Sequence, residues 1–357
     1  MRKVFLFVIL SLHLISFAKE SIKPDFIFKL KEVAQSNNFI DMGIVWPQLT
    51  VDYMGNVFIL ERKYSKVIKL DKNLKLIKTF GKKGEGPGEF YRGMAISVDK
   101  KGNIYVMDSI KKIVVFDNIG KFKNEFKTAS IGMGRLSSVK IIDDKLFVGN
   151  SFGRGEFDVK IFDIYLKKVI SSFKLLDHDL VLMKKNGGMV AFYPHFLGRH
   201  LFMDENMGFC VIGESQRLWL KLIDPKGNIC LTLKRDDKRK KLSHKEILHF
   251  TNEYIGFSKH GFTRNDIKKS LEKYEYKNVI REIKISNSRI YLFLTPDDTT
   301  IENKFPVEVY SFKGKLINKG FSPVVPEKIF NNFFYVIKTD KSEDEDTKKL
   351  IKYKINP

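Results

Sequence analysis

A nine-residue phrase occurs twice in this chain, 47 residues apart, and constrains the fold more than any other feature. The first copy runs from Val51 to Ile59 and the second from Val98 to Val106. Each begins with Val-Asp, continues through Gly-Asn, and ends in β-branched and aromatic residues. Gly and Asn tolerate a positive φ, so the phrase predicts a strand, a tight turn and a second strand. A repeat of this length built from short strands is typical of a propeller blade, which buries its faces against neighbouring blades.

A second pattern, a short strand that leads from lysine to aspartate, repeats at nearly the same spacing. Lys66–Asp71 and Lys112–Asp117 are 46 residues apart, and Lys160–Asp163 follows after another 46. The later spacings are longer, and the excess falls in residues 177–192 and 236–278. Without a leader and these insertions, the chain has the length of about six repeats. The sequence therefore predicts an all-β, six-bladed β-propeller.

The six blades place their second strands at regular intervals along the chain. We expect these strands around Val57, Ile104, Leu146, Phe209, Ile290 and Phe334. The chain ends in the third strand of the last blade, at Lys349–Ile355. We expect the missing fourth strand to come from the N-terminal segment, from Asp25–Leu30 to about residue 34, because this closure removes an open sheet edge.

Residues 236–278 change from strand periodicity to helical periodicity. Ser243–Glu246 has the form of a capping box, and Thr263–Asp266 has a similar form with aspartate in place of glutamate. Apolar residues then recur at helical spacing, at Ile247, Phe250, Tyr254, Ile267 and Leu271. We predict a helical insertion between blades 4 and 5 that packs over the channel mouth as a partial lid. The alternative is that the helices pad the outer flank of the ring.

The N-terminus predicts export. Met1-Arg2-Lys3 precedes the apolar run Val4–Phe17, and Ser16-Phe17-Ala18 places small residues at the −3 and −1 positions of a cleavage site. We expect a signal peptide at 1–18 and the propeller at 19–357, in the periplasm or outside the cell; the alternative is an uncleaved anchor. No later apolar run approaches the ~20 residues of a membrane span, so we expect a soluble mature protein.

The formal net charge is +22, but the lysines are scattered along the chain. With export, this scatter argues against nucleic acid as a partner and leaves at most a transient attraction to anionic membranes.

The two cysteines, Cys210 and Cys230, fall on the second and fourth strands of one blade. A strand between them puts them about 10 Å apart, too far for a disulfide. We expect both to be buried free thiols in a monomeric protein.

The glycine-rich phrase Gly81–Phe90, followed by Ala95–Asp99 and Gly102–Asp108, resembles NHL-type repeats. More closely, it is similar to exported bacterial six-bladed β-propeller proteins of the NHL-repeat/TolB-like group. In that resemblance the phrase forms a connection between blades, with glycines at positive φ and Pro87 stiffening the loop. The resemblance implies the fold and the compartment. It implies little about activity, because most proteins of the group have no assigned activity.

Enzymes in related six-bladed propellers, such as lactonases, hold a divalent metal in the channel with acidic residues and Asn of the inner strands. In this chain the residues at the starts of first strands are basic instead: Arg92, Arg135, Arg199 and Arg281. His195 and His200 flank Arg199. Arginine presents a planar fork of donors to carboxylate or phosphate, so converging guanidinium groups predict an anion site. The alternative is that each arginine pairs with a nearby carboxylate or carbonyl, or points into solvent.

These observations favour a non-catalytic binding propeller that engages an anionic small molecule, a glycan or a protein at the channel mouth. We predict no metal, no cofactor and no catalytic residue. The alternatives are a lyase or hydrolase that uses the channel mouth, with the two histidines in acid–base chemistry, and an interaction scaffold that docks through the helices. Asp108 and Glu61 hold matching positions after second strands, and we expect both to bond backbone in the adjoining turns.

Overall fold

The computed structural model describes most of the chain after residue 27. The described residues are 28–36, 39–40, 48–62, 64–109, 112–128, 138–143, 146–152, 156–163, 168–176, 181–185, 188–192, 201–206, 208–253, 261–300, 303–340 and 347–356. The predicted signal peptide at 1–18 lies outside them. Within these ranges the chain is an all-β propeller with only two short helices.

Two strands, β1 (Lys29–Gln35) and β2 (Phe39–Ile40), precede the first four-stranded sheet. That sheet contains β3 (Gln48–Val51), β4 (Val57–Glu61), β5 (Lys66–Leu70) and β6 (Leu76–Phe80). The second contains β7 (Gly93–Val98), β8 (Ile104–Asp108), β9 (Lys112–Phe116) and β10 (Phe122–Lys127). The third contains β11 (Ser138–Asp143), β12 (Leu146–Phe152), β13 (Glu156–Asp163) and β14 (Lys168–Leu176).

A two-stranded hairpin interrupts the pattern before the next sheets, with β15 (Val181–Lys185) and β16 (Gly188–Phe192). The fourth sheet contains β17 (Leu201–Asn206), β18 (Phe209–Glu214), β19 (Leu218–Ile223) and β20 (Ile229–Arg235). The fifth contains β21 (Ile280–Ser286), β22 (Arg289–Leu294), β23 (Phe305–Ser311) and β24 (Leu316–Ser322). The last contains β25 (Lys328–Phe330), β26 (Phe333–Asp340) and β27 (Thr347–Asn356), with β1 and β2 paired to β27. The second strand of every sheet begins at or within one residue of its predicted position.

The N-terminal strand completes the last sheet, as predicted. β1 pairs antiparallel with β27, from Lys29 opposite Asn356 to Gln35 opposite Ile351. Residues 25–27 of the predicted strand lie outside the described residues. The strands that begin each sheet, β3, β7, β11, β17, β21 and β25, each contact the next in a closed cycle. We call these the first strands; they surround the central channel.

The repeated phrase folds as a strand, a turn and a strand because its aspartate closes the turn. Asp52 Oδ1 accepts hydrogen bonds from the backbone N–H groups of Met54 and Asn56, and Gly55 has a φ of +87°. Asp99 makes the same two bonds to its own turn. The short aspartate side chain thus replaces backbone partners that the tight turn leaves unpaired.

The core lies between neighbouring sheets and follows the strand period of two. On β8, Ile104 and Val106 pack toward the first sheet, whereas Tyr105 and Met107 pack toward the third. The connection Gly81–Phe90 seals the first of these contacts, since Phe90 is fully buried. Gly81 has a φ of +79°, and a Cβ there would lie 2.6 Å from the Phe90 ring.

Two short helices, α1 (His244–Glu253) and α2 (Arg264–Leu271), lie between β20 and β21. Both predicted capping boxes form, at Ser243 with Glu246 and at Thr263 with Asp266. The apolar residues Ile247, Phe250, Ile267 and Leu271 are buried, and α2 contacts both α1 and β15 of the hairpin. Tyr254 lies outside the described residues. Arg199, which the predicted lid would cover, also lies outside the described residues. That the helices form a lid over the channel mouth therefore stays a prediction.

A buried ion pair fixes α1 to the fifth sheet. Glu246 Oε1 lies 2.8 Å from Lys277 Nζ, both side chains are 1% exposed, and the same oxygen accepts the Thr299 N–H. Burial alone would raise the pKa of Glu246, but hydrogen bonds from Lys277, Thr299 and Ser243 lower it to about 2. Thr299 belongs to the loop between β22 and β23, so this pair joins the helical segment to that loop.

The cysteines lie where the sequence places them, but only one is buried. Cys210 on β18 is buried, and burial raises the pKa of its thiol well above the usual value. Cys230 is exposed, so the prediction of two buried thiols is wrong for this residue. Its strand, β20, is an outer strand that alternates between exposed and half-buried residues and has no further strand beyond it in its sheet. Both are free thiols, as predicted.

None of the helices in the described ranges is long and apolar enough to cross a membrane.

Candidate functional site: the central channel

Polar side chains of four first strands fill the middle of the channel. We call Thr50, Lys140, Asp204, Glu205 and Lys328 the channel cluster. Thr50 Oγ1 donates to Glu205 Oε1 over 3.1 Å, although β3 and β17 are opposite one another in the cycle of first strands. A direct bond across the ring leaves no open passage at this level.

The charges of the channel cluster neutralise one another. Lys328 Nζ lies 2.7 Å from Asp204 Oδ1 and also donates to the Glu205 carbonyl oxygen, and Lys140 Nζ lies 2.9 Å from Glu205 Oε2. Burial alone would raise the pKa of Asp204, but the neighbouring lysines, Lys328 first, lower it overall. Burial alone would lower the pKa of Lys328, and the two carboxylates raise it. Asp204 and Lys328 therefore stay ionised and paired with one another.

Glu205 of the channel cluster also lines a cavity at one end of the channel. We call this end the end mouth, because the first strands end there. The cavity has a volume of about 390 Å³, and its lining comes from five of the six first strands and their turns: Val51, Tyr53, Val98, Asp99, Lys100, Ile141, Ile142, Glu205, Asn206, Gly208 and Phe330. A concave, largely apolar site with a few polar groups is the usual form of a small-molecule site.

Two polar groups of this cavity have no partner among the residues that the structure describes. Asn206 is 9% exposed, and its side-chain amide makes no hydrogen bond there. Lys100 lies across Gly208, where a Cβ would be 2.8 Å from Lys100 Cε and 3.1 Å from Nζ. Gly208 also has a φ of +82°, a conformation that favours glycine. Glycine is therefore required here both by the turn and by the close approach of the Lys100 side chain.

The two carboxylates of the cavity are already committed. Asp99 accepts four hydrogen bonds, two from its own turn, one from the Asn103 amide and one from the Tyr105 hydroxyl. Glu205 accepts from Thr50 and pairs with Lys140. The cavity thus has one ammonium and one amide that are available to a ligand.

The opposite end, which we call the start mouth, is where the first strands begin and where the arginine site was predicted. Arg92 directly precedes β7 and is exposed, and its positive charge adds to burial in lowering the pKa of Arg62. Arg281, the second residue of β21, stacks on Phe305, with 4.9 Å between its guanidinium carbon and the ring centroid. Arg135, His195, Arg199 and His200 lie outside the described residues. Convergence of the four arginines therefore stays a prediction.

The structural expectations around this mouth have mixed outcomes. Asp108 bonds backbone, as predicted, because its two oxygens accept the N–H groups of Tyr91 and Arg92 at 2.8 Å. Glu61, predicted to bond backbone, pairs with Lys66 Nζ at 3.1 Å. Across the described ranges, no group of three or more His, Cys, Asp and Glu side chains is arranged to hold a metal ion.

Sequence reasoning missed the channel cluster and the cavity. It tested the starts of first strands for acidic residues, whereas Asp204 and Glu205 lie near the end of β17. The usable signal was Asp-Glu-Asn directly before the Gly208 turn, since adjacent acids on an inner strand are costly unless they are paired. Lys100 and Asn206 carry no signal of their own.

Comparisons with known proteins support the propeller fold. Residues 44–131 match the family model DUF5128, described as a 6-bladed beta-propeller. A comparison of the sequence with curated proteins finds no match. A solved structure of a protein described as exported, from Bacteroides fragilis, is 12% identical, with a TM-score of 0.54 over 93% of this chain and 96% of its own. A member of the duf4221 family from Bacteroides vulgatus is 11% identical, with a TM-score of 0.51 over 92% of this chain and 98% of its own. At such identities the likeness shows the fold alone, and the resemblance to NHL-type repeats is not confirmed.

Proposed function

We propose that this protein is an exported, non-catalytic binding propeller that takes a small anion with an apolar body into the cavity at the end mouth. The proposal includes six blades, with α1 and α2 as an insertion between the fourth and fifth. The observation that carries it is the Lys100 ammonium, which has no partner among the described residues and lies at the rim of a cavity of about 390 Å³ with apolar walls.

The preference for an anion follows from the polar groups that remain available. Asp99 and Glu205 accept hydrogen bonds from protein groups, and the Glu205 charge is balanced by Lys140. Lys100 has no carboxylate partner within the described part of the chain, so a ligand carboxylate would gain an ion pair there. Asn206 can donate a further hydrogen bond to the same carboxylate.

The apolar body follows from the walls. Val51, Val98, Ile141 and Phe330 line the cavity, and each square ångström of apolar ligand surface removed from water stabilises binding by about 25 cal/mol. Tyr53 extends this surface outward, since it is 57% exposed and also lines the cavity. The ligand class is therefore a medium-chain or aromatic monocarboxylate.

Binding without catalysis fits the state of the ionisable groups. The acids and lysines of the channel cluster are bonded to one another, so among the described residues no unpaired acid or base lies at this level of the channel. Export is supported by the apolar run near the N-terminus and by the description of the Bacteroides fragilis relative.

Calorimetry with three probes of equal chain length tests the proposal: octanoate, octylammonium and octanol. We expect the wild-type protein to bind octanoate most tightly, and Lys100→Met to weaken it by about fivefold, the effect of a partly exposed ion pair. Lys101→Met, in the same turn but outside the cavity lining, is the matched control and should bind like wild type. Octylammonium binding as tightly as octanoate would refute the charge preference, and no binding of any probe would refute the cavity as a ligand site.

A further inference from the structure

At the start mouth, Arg62 and Arg92 lie close enough for their charges to interact, and neither guanidinium pairs with a carboxylate among the described residues. Arg62 follows β4, and Arg92 precedes the first strand of the next sheet. Arg62 Nη2 donates to Met94 Sδ at 3.2 Å, a weak acceptor, and the buried Nε has no hydrogen-bond partner in the described structure. Burial and the charge of Arg92 both lower the pKa of Arg62. A buried, unpaired donor beside a second positive charge is unfavourable unless an anion binds there.

The carboxylates adjoining these arginines are used elsewhere. Glu61, next to Arg62 in the chain, pairs with Lys66 at 3.1 Å. Asp108 accepts the backbone N–H groups of Tyr91 and Arg92. Within the described part of the chain, neither carboxylate pairs with the guanidinium group of Arg62 or Arg92.

The equivalent turn of the fourth sheet, between β18 and β19, contains an arginine that is paired with a carboxylate. Arg217 lies three residues after the end of β18, and its Nε donates to Oε1 of Glu214, the last residue of that strand. Arg62 directly follows Glu61, the last residue of β4, and Glu61 pairs with Lys66 instead. Arg217 is therefore neutralised by a carboxylate of its own turn, whereas Arg62 has no such partner among the described residues.

We propose that Arg62 and Arg92 form a site for a phosphate monoester group, carried by a ligand other than the one that occupies the cavity. Two guanidinium groups present several N–H donors to one group of three or four oxygens, and a doubly charged anion neutralises both. A monocarboxylate leaves one of the two charges unbalanced. The site is at the opposite end of the channel from the cavity, and it does not depend on the function proposed for that cavity.

Thermal unfolding of the whole protein in sodium phosphate tests this site, with sodium chloride holding the ionic strength constant. We expect the wild-type Tm to rise by about 3 °C at a phosphate concentration about tenfold above Kd. Arg62→Met and Arg92→Met should lose this rise, and Arg217→Met should keep it. Without phosphate, Arg92→Met should be at least as stable as wild type, because the substitution removes the repulsion between the two arginines.

The last readout separates a binding role from a structural one. A Tm that falls by several degrees in Arg92→Met without phosphate would show that the arginine supports the fold, and would overturn the proposal. An unchanged phosphate response in both variants, or an equal loss in Arg217→Met, would also overturn it. Glucose 6-phosphate should give a larger shift than glucose 6-sulfate, because the phosphate monoester carries about two negative charges and the sulfate ester one; an equal or larger shift with the sulfate ester would contradict the charge argument. Octanoate should leave this response unchanged, which keeps the two sites distinguishable.

Discussion

Replacing Lys328 by methionine tests whether the channel cluster holds the ring together. Lys328 and Asp204 are each 4% exposed and 2.7 Å apart, and Lys328 also donates to the carbonyl oxygen of Glu205. Breaking a buried pair by removing one partner costs about 3–5 kcal/mol, because the other charge stays buried. In the variant, Asp204 still accepts a hydrogen bond from the Ile285 N–H at 2.8 Å, and two other lysines still favour its ionised form. We therefore expect a loss of stability at the low end of this range, about 3 kcal/mol.

The assay is urea unfolding at neutral pH, followed by tryptophan fluorescence. Lys226→Met, which removes an exposed lysine, is the control and should change the free energy of unfolding by less than about 0.5 kcal/mol. The double variant Asp204→Asn/Lys328→Met should recover more than about 1 kcal/mol of the single loss, since no unpaired carboxylate remains.

The pH dependence of the Lys328→Met penalty gives an independent check. Without Lys328 the pKa of Asp204 rises, since burial is no longer opposed by the nearest lysine. Protonation on folding then relieves the buried charge, so the penalty should shrink as the pH is lowered from neutral. A Lys328→Met protein that unfolds at the same urea concentration as Lys226→Met would refute this account of the channel cluster.

Two further outcomes are expected. Glu246 has its pKa lowered from 4.5 to about 2 in the folded protein, so its contribution of about 3 kcal/mol is complete above pH 4.5 and is lost as the pH falls toward 2. Glu246→Gln should be less stable at neutral pH and should lose less stability than wild type on acidification, and parallel acid-unfolding curves would contradict the lowered pKa of Glu246. For the thiols, we expect one equivalent of a thiol reagent to react in the native protein, at the exposed Cys230, and two in urea; a native protein that reacts at both would contradict the burial of Cys210.

The sequence was sufficient for the blades because their signals are local. Asp52 and Asp99 lie within a few residues of the groups that they bond, and so do Ser243 and Glu246. The second strands were therefore placed correctly all round the ring. The β15–β16 hairpin was recognised only as excess length, because its residues show no clear strand period.

The channel was not predictable in the same way, because its contacts join distant parts of the chain. Thr50 and Glu205 are 155 residues apart, and Lys328 and Asp204 are 124 apart. In a chain with 64 Lys and Arg residues, nothing local marks Lys140 or Lys328 as buried. Only the closed ring brings these side chains to one axis.

The pairing of β1 with β27 also has a consequence for how the protein folds. Lys29 pairs with Asn356, so the last sheet cannot be completed until nearly the whole chain is available. Closing so long a loop has a large entropic cost, and folds that depend on such distant contacts form slowly. Until β1 arrives, the outer edge of β27 has unpaired backbone groups that can recruit a strand from another molecule. We therefore expect the yield of refolded monomer to fall as the protein concentration rises, because any form of the chain in which β1 is undocked exposes this edge.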